Sequence, residues 1–322
     1  MRALVTGVSG FVGGHLVEHL IAEGDLVVGL SASGQWPVDL AHLGKAARIE
    51  AFDLIEQSEV ALTELVRHKQ PEVIYHLAAQ SNPQASMTDP RGTWTLNLGG
   101  SLNLLEAIKS SGQRPRVILV SSGVCYGNPD SRFIPVNEDC PLRPKNPYAA
   151  SKAAVDLLGI QHYLAHGTDV VIVRPFNHAG PRQSPRYVLA SLALHVAEVE
   201  KGERACLEVG NLDVIRDFVD VRDVVCAYRR LACSGQGGEI YNLGRGEGTK
   251  IADALEYLRS QAKREVPVRV DSARVRPVDQ PLLIADSSKL RSAVGWEPCY
   301  TIEQTLTDML EFYRNMITTR KA

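Results

Sequence analysis

The chain has 322 residues, 44% hydrophobic and 22% charged, which are the proportions of a folded protein and exclude wholesale disorder. Basic and acidic side chains number 35 and 37, a net charge of −2, so no global field gathers nucleic acid and a nucleic-acid partner is not expected. No run of eighteen apolar residues offers a membrane-spanning helix, and the length suits two packed lobes.

Met1 to Gly7 runs straight into structure without an apolar leader, so a cytoplasmic location is expected. Ala3 to Thr6 reads as a short buried strand. Phe11, Val12, Leu16, Leu20 and Ile21 recur near helical spacing and predict a helix over 11–22. Leu26 to Leu30 is a second apolar strand and 49–52 a weaker third. Ser58 is the expected N-cap of a helix over 59–69, which Pro71 breaks. Strands follow at 73–77, 117–120 and 170–173. They are separated by helices expected from Pro90, at a first helical position, to Ser110 and from Pro147 to His166. Short apolar strands alternating with helices predict an α/β fold: a doubly wound, Rossmann-type parallel sheet covered on both faces. Beyond Pro175 the pattern loosens. Helices are expected at 187–201, 221–233, 250–262 and 302–315, with short strands near Leu207 and Ile240, as in a smaller α/β lobe.

Six cysteines (125, 140, 206, 226, 233 and 299) form no CxxC pair and read as reduced thiols. The pairs His15/His19 and His162/His166 have the i,i+4 spacing that can grip a metal from one helix face. A bare pair supplies only half a tetrahedral set, so no metal is expected.

Gly7-Val8-Ser9-Gly10-Phe11-Val12-Gly13 lies between the first strand and first helix. Gly7 permits the tight turn, Gly10 lets a pyrophosphate approach the backbone, and Gly13 lets helix pack on strand; Phe11 and Val12 open the helix whose N-terminus faces the phosphates. The second strand ends in Leu30-Ser31-Ala32-Ser33-Gly34. A carboxylate there would bind the ribose 2′-hydroxyl of NAD. With Ser31 in its place, NADP is favoured over NAD. Tyr148 and Lys152 form a YxxxK at a helix start, one turn apart on one face. A lysine ammonium there is expected to lower the phenol pKa, so that the tyrosine exchanges a proton with a carbonyl or alcohol. Ser121-Ser122 closes the fifth strand at the carboxyl edge, where ligands bind in such sheets.

These motifs, with His76-Leu77-Ala78-Ala79, Asn97-Leu98-Gly99-Gly100, Arg174-Pro175-Phe176-Asn177 and 216–223, carry a resemblance to the extended short-chain dehydrogenase/reductases that act on nucleotide sugars. The resemblance covers nearly the whole chain. It implies Ser122, Tyr148 and Lys152 as catalytic residues. It places Asp53 and Leu54 against the adenine and Leu77, Ala78, Ala79, Asn97 and Pro175 around the cofactor. It gives Asn177, Arg216, Arg276 and Asp279 to the nucleotide sugar. It implies a dinucleotide-binding domain over 1–176 and about 212–240, a nucleotide-sugar lobe over about 177–211 and 241–322, and a homodimer paired through the helices near 90–110 and 147–166. Apolar surface there includes Leu102, Leu105, Ile108, Leu157, Leu158 and Ile160.

Three chemistries share this scaffold: 4,6-dehydration, C4 epimerisation and net reduction. Similar dehydratases carry a carboxylate just after the catalytic Ser or Thr, where this chain has Gly123. Similar epimerases keep NAD and an acidic residue near position 31. The stretch 176–183 resembles the GDP-mannose branch, although Arg182 stands where relatives often carry Gly. The expected reaction is therefore NAD(P)H-dependent reduction of the C4 keto group of a nucleotide-linked 4-keto-6-deoxy-hexose, GDP-4-keto-6-deoxy-D-mannose to GDP-D-rhamnose. The alternatives are a 4-epimerase, a GDP-mannose 4,6-dehydratase and, more distantly, a non-catalytic NADP-binding regulator.

Overall fold

The computed structural model describes residues 1–271 and 282–319. Strands are β1 (Arg2–Thr6), β2 (Leu26–Ser31), β3 (Arg48–Ala51), β4 (Val73–His76), β5 (Arg116–Val120), β6 (Val170–Pro175), β7 (Asn177–Ala179), β8 (Leu207–Val209), β9 (Ile215–Asp220), β10 (Ile240–Leu243), β11 (Gly248–Lys250), β12 (Val268–Val270) and β13 (Leu282–Leu283). Helices are α1 (Phe11–Ala22), α2 (Glu59–Lys69), α3 (Pro83–Thr88), α4 (Pro90–Trp94), α5 (Gly100–Ser111), α6 (Pro147–His166), α7 (Val188–Glu200), α8 (Val221–Ser234), α9 (Ile251–Ser260), α10 (Ser288–Val294) and α11 (Ile302–Thr319).

Among these residues the main sheet is seven-stranded and parallel, in the order β10-β6-β5-β4-β1-β2-β3. Side-chain alternation explains its double cover. Val5, Tyr75, Ile118 and Val173 point to one face and pack with Leu16, Val17, Val225 and Tyr228 of α1 and α8. Leu4, Ile74, Leu119 and Ile172 point to the other and pack with Leu62 of α2, Leu104 and Ile108 of α5, and Val155 of α6. The order reverses between β1 and β4, opening the crevice in which such sheets bind ligands. Ser58 caps α2 by accepting from the Ala61 amide at 3.2 Å, as its spacing predicts.

A second core gathers Leu189 and Val196 of α7, Phe218 of β9, Leu255 of α9 and Leu310 of α11. It backs a smaller sheet in which β9 pairs with β7, β11 and β13. Within the expected 212–240 insert, α8 packs on the large sheet. Strand β9 lies in the small sheet, whereas β10 is the edge of the large one, and Leu290 and Trp296 pack into its core beside α8. The helix expected from Pro90 to Ser110 is broken by a π-helical turn over Thr95–Gly99. No helix among the described residues is long and apolar enough to cross a membrane.

Candidate active site

The loops after β1 and β4 meet at the crevice. Gly7 has φ +69°, and a Cβ there would lie 2.7 Å from the Ala78 nitrogen; one at Gly13 would lie 2.4 Å from the Gly7 oxygen. Only glycine allows both the turn and the approach. The Ala78 amide donates to Thr6 Oγ1 at 3.2 Å, which fixes Leu77, Ala78 and Ala79 against the glycine loop. Thr6 Oγ1 also contacts His76 Nδ1 at 2.8 Å, and His76 Nε2 contacts Ser101 Oγ at 3.0 Å. Burial, aided by Lys152, pulls His76 down to about 3, so the ring is a neutral strut. Helix α1 begins at Gly10 with no side-chain cap and no acidic residue in its first turn. Its first amides, from Phe11 onward, thus present a positive end that fits a dinucleotide pyrophosphate.

Farther along the sheet edge, Ser31 is buried. Its Oγ accepts from the Gly34 amide at 3.0 Å and lies 3.4 Å from Ser33 Oγ. No carboxylate stands on this turn. The Ser31 carbonyl accepts from the Phe52 amide at 2.8 Å, which brings the 52–54 loop alongside. Asp53 Oδ1 accepts from the Ile55 and Glu56 amides at 2.8 and 3.1 Å, and Leu54 is a core residue beneath α5.

Helix α6 starts at Pro147 because Asn146 accepts from the Ala149 amide at 2.8 Å. Its first turn delivers Tyr148, and its second Lys152, beneath Ser122 at the end of β5; all three are more than nine-tenths buried. The Ser122 hydroxyl lies close enough to the Tyr148 phenol to draw its pKa down. Lys152 Nζ donates to the Val120 carbonyl at 2.7 Å. Asn97 turns inward from the π-helical turn. Its Oδ1 accepts from the Gln80 amide at 2.8 Å, and its Nδ2 donates to Ser151 Oγ at 2.9 Å.

The electrostatics correct one expectation. Burial pushes the Tyr148 phenol above its ordinary range, more than neighbouring Ser122 draws it down. The spacing predicts a depressed phenol, but burial of the ring dominates here and the lysine ammonium is engaged by Val120. A raised phenol stays protonated at neutral pH, as a proton donor must. Burial also brings Lys152 down to about 8, opposed by Cys125 and Asp156, which favour its charge. The lysine charge is therefore present below pH 8 and lost as pH rises through 8. A basic limb in kcat/KM with an apparent pKa near 8 is expected. A profile flat to about pH 9.5 would remove Lys152 as an electrostatic partner.

Below this cluster, Arg174 Nε donates to Asp156 Oδ2 at 2.8 Å and its Nη1 to the Tyr126 hydroxyl at 2.8 Å. That hydroxyl donates to Asn242 Oδ1 at 2.7 Å. Pro175 is buried at the end of β6. Asn177 lies on β7 opposite Phe218 of β9, and Arg216 is two residues back along β9, so the two expected substrate residues share one corner of the small sheet. Arg276 and Asp279 lie outside the described residues.

Two neighbours of the site carry no motif. The Tyr187 phenol is close enough to Tyr148 to disfavour its ionisation and meets Ser81 Oγ at 3.1 Å. His178 stacks on Phe11, ring centroids 6.1 Å apart, and so ties the small sheet to the glycine loop. A cleft of about 560 Å³ opens elsewhere, between α1 and the lobe boundary, lined by His15, Glu18, Arg182 and Arg222. Here Arg182 holds φ +73°, a left-handed conformation that glycine adopts without strain. Its guanidinium forks onto Glu18 at 2.7 and 2.5 Å and approaches His15 Nδ1 at 2.8 Å. Burial and the arginine charge hold His15 down to about 4.

A phosphate-facing helix end opposite a Ser–Tyr–Lys cluster is the arrangement of a dinucleotide-dependent oxidoreductase. The chain belongs to the GDP-mannose 4,6 dehydratase family, whose model matches residues 4–309. It is 36% identical over 320 residues to the GDP-6-deoxy-D-mannose reductase of Pseudomonas aeruginosa, with 98% of each chain covered. Its fold is similar to the structure of RMD from Pseudomonas aeruginosa complexed with NADPH, at 34% identity and TM-score 0.86, covering 98% of this chain and 100% of that one. It is also similar to the UDP-glucose 4-epimerase of Thermus thermophilus in complex with NAD, at 31% identity and TM-score 0.85, covering 98% and 99%.

Proposed function

We propose that the chain reduces the C4 keto group of GDP-4-keto-6-deoxy-D-mannose to give GDP-D-rhamnose, using NADPH in preference to NADH. The observation that carries this choice is Gly123. A Cβ at that position would lie 2.6 Å from the Phe176 ring. The carboxylate with which a dehydratase moves protons across C5 and C6 therefore has no room beside Ser122. Likeness to the Pseudomonas reductase over the full length agrees. Ser31, in place of a carboxylate, favours NADPH over the NAD of an epimerase.

Gly7, Gly10, Phe11, Val12 and Gly13 would hold the pyrophosphate, Ser31 and the Asp53–Leu54 loop the adenosine end, and Ala78, Ala79, Asn97, Lys152 and Pro175 the nicotinamide end. The reduced nicotinamide supplies a hydride equivalent. Ser122 donates a hydrogen bond to the C4 oxygen and polarises the carbonyl. Tyr148 passes its phenolic proton to that oxygen as it becomes an alkoxide, giving the alcohol. Lys152 stabilises the resulting phenolate until solvent returns the proton. Asn177 and Arg216 hold the diphosphate of the substrate.

Two copies pair through α5 and α6 in this reading. Leu105, Ile108, Leu158 and Ile160 face the sheet, but Leu102 and Leu157 are exposed and available to a partner. Such an enzyme works in the cytoplasm, where nucleotide sugars and NADPH are found.

The test follows absorbance of the reduced nicotinamide with enzymatically generated GDP-4-keto-6-deoxy-mannose, NADPH and NADH in parallel. The expected result is substrate-dependent oxidation, faster with NADPH, and a product two hydrogens heavier by mass. Loss of water from GDP-mannose, or interconversion of UDP-glucose and UDP-galactose without net oxidation, would overturn it.

A further inference from the structure

The histidine pair at the end of α6 gains a third donor that sequence spacing could not show. Glu106 of α5, His162 and His166 place one ligand atom each within 4.8 Å of one another. Glu106 Oε1 lies 3.4 Å from His162 Nε2. His162 is 1% exposed, yet neither ring nitrogen makes a hydrogen bond. The Glu106 carboxylate is near but makes no hydrogen bond, and a buried imidazole left so costs free energy unless something else satisfies it. Lys109 pairs with the other Glu106 oxygen, Gln161 Nε2 lies 3.4 Å from His166 Nε2, and the His162 and His166 rings meet edge-on with centroids 5.1 Å apart.

We infer that Glu106, His162 and His166 form a binding site for a divalent cation of the zinc class. Two imidazoles and a carboxylate are a borderline-soft donor set that suits zinc. Bonds of about 2.0–2.2 Å put tetrahedral donors about 3.4 Å apart, so small rotations of exposed His166 and of Glu106 close the set, with water in the fourth position. His162 is fourteen residues beyond Tyr148, about 21 Å along α6. The cation therefore stands away from the Ser–Tyr–Lys cluster and clasps α5 to α6 at the opposite end of the sheet. The site does not depend on the reading of the active site.

The test titrates the full chain with Zn²⁺ by calorimetry and with Co²⁺ by visible absorption, while following the unfolding temperature. One ion per chain, tetrahedral Co²⁺ bands and a raised unfolding temperature are expected. His166→Ala and Glu106→Gln, both away from the core, should weaken binding at least about tenfold, since each removes one of three ligands. Lys109→Gln should tighten it, by freeing Glu106 of a competing cation. Binding unchanged in His166→Ala and Glu106→Gln would assign the ion to exposed thiols such as Cys233 and Cys299 and overturn the proposal; so would no binding at all.

Discussion

Tyr148→Phe is expected to lower turnover by about 10²–10⁴-fold while NADPH still binds with nearly unchanged affinity. The phenylalanine keeps the ring, its packing under Ser122 and the start of α6. It removes only the proton delivered to the C4 oxygen. Burial holds the phenol protonated at neutral pH, so in the wild type the donor is in the correct state throughout the working range. The check pairs single-turnover kinetics with a fluorescence titration of NADPH. More than about a tenth of the wild-type rate in Tyr148→Phe would remove the phenol as proton donor. A large loss of NADPH affinity would instead mean that the hydroxyl holds the cofactor.

Arg174→Ala carries the largest expected effect on stability. Arg174 and Asp156 are 4% and 1% exposed and joined at 2.8 Å. Burial pushes the Asp156 carboxyl up, and the guanidinium pulls it back down. Removing the arginine leaves a buried carboxylate without its counter-charge, which costs about 3–5 kcal/mol. Urea denaturation should show a lower midpoint at unchanged slope. The double variant Arg174→Met, Asp156→Leu should regain most of that loss, because an apolar pair of similar volume needs no counter-charge. A cost below about 1 kcal/mol in Arg174→Ala would mean that Asp156 is already neutral. Asp156 also favours the charge on Lys152 one turn away, so this pair supports the site as well as the core.

Much of the sheet and glycine loop was legible because their signals are local. Short continuous apolar runs, Ser58 as a helix cap, prolines at first helical positions and the spaced glycines of the first loop can each be read from a few neighbouring residues. The π-helical turn was not legible. It exists because Asn97 finds Gln80 and Ser151 across the fold, seventeen and fifty-four positions away. The partners of β9 come from 177–179, 248–250 and 282–283, so RDFVD could not declare which sheet it joins. The raised phenol of Tyr148 was missed for a related reason: YxxxK spacing reports which face two side chains share, not how deeply that face is buried.

Arg182 shows how such distant pairing constrains change. An L-residue at φ +73° costs about 1–2 kcal/mol that glycine avoids. The two-pronged hydrogen bond to Glu18 offsets that cost, since bonds to charged groups contribute about 1.5–3 kcal/mol. Arginine at 182 is thus an asset only in a chain that already carries Glu18. Without Glu18 the arginine keeps the backbone strain and loses its partner, and without Arg182 the half-buried Glu18 loses the charge that offsets its desolvation. The two positions are therefore coupled: loss of Glu18 alone exposes the strain at Arg182 that the ion pair now hides.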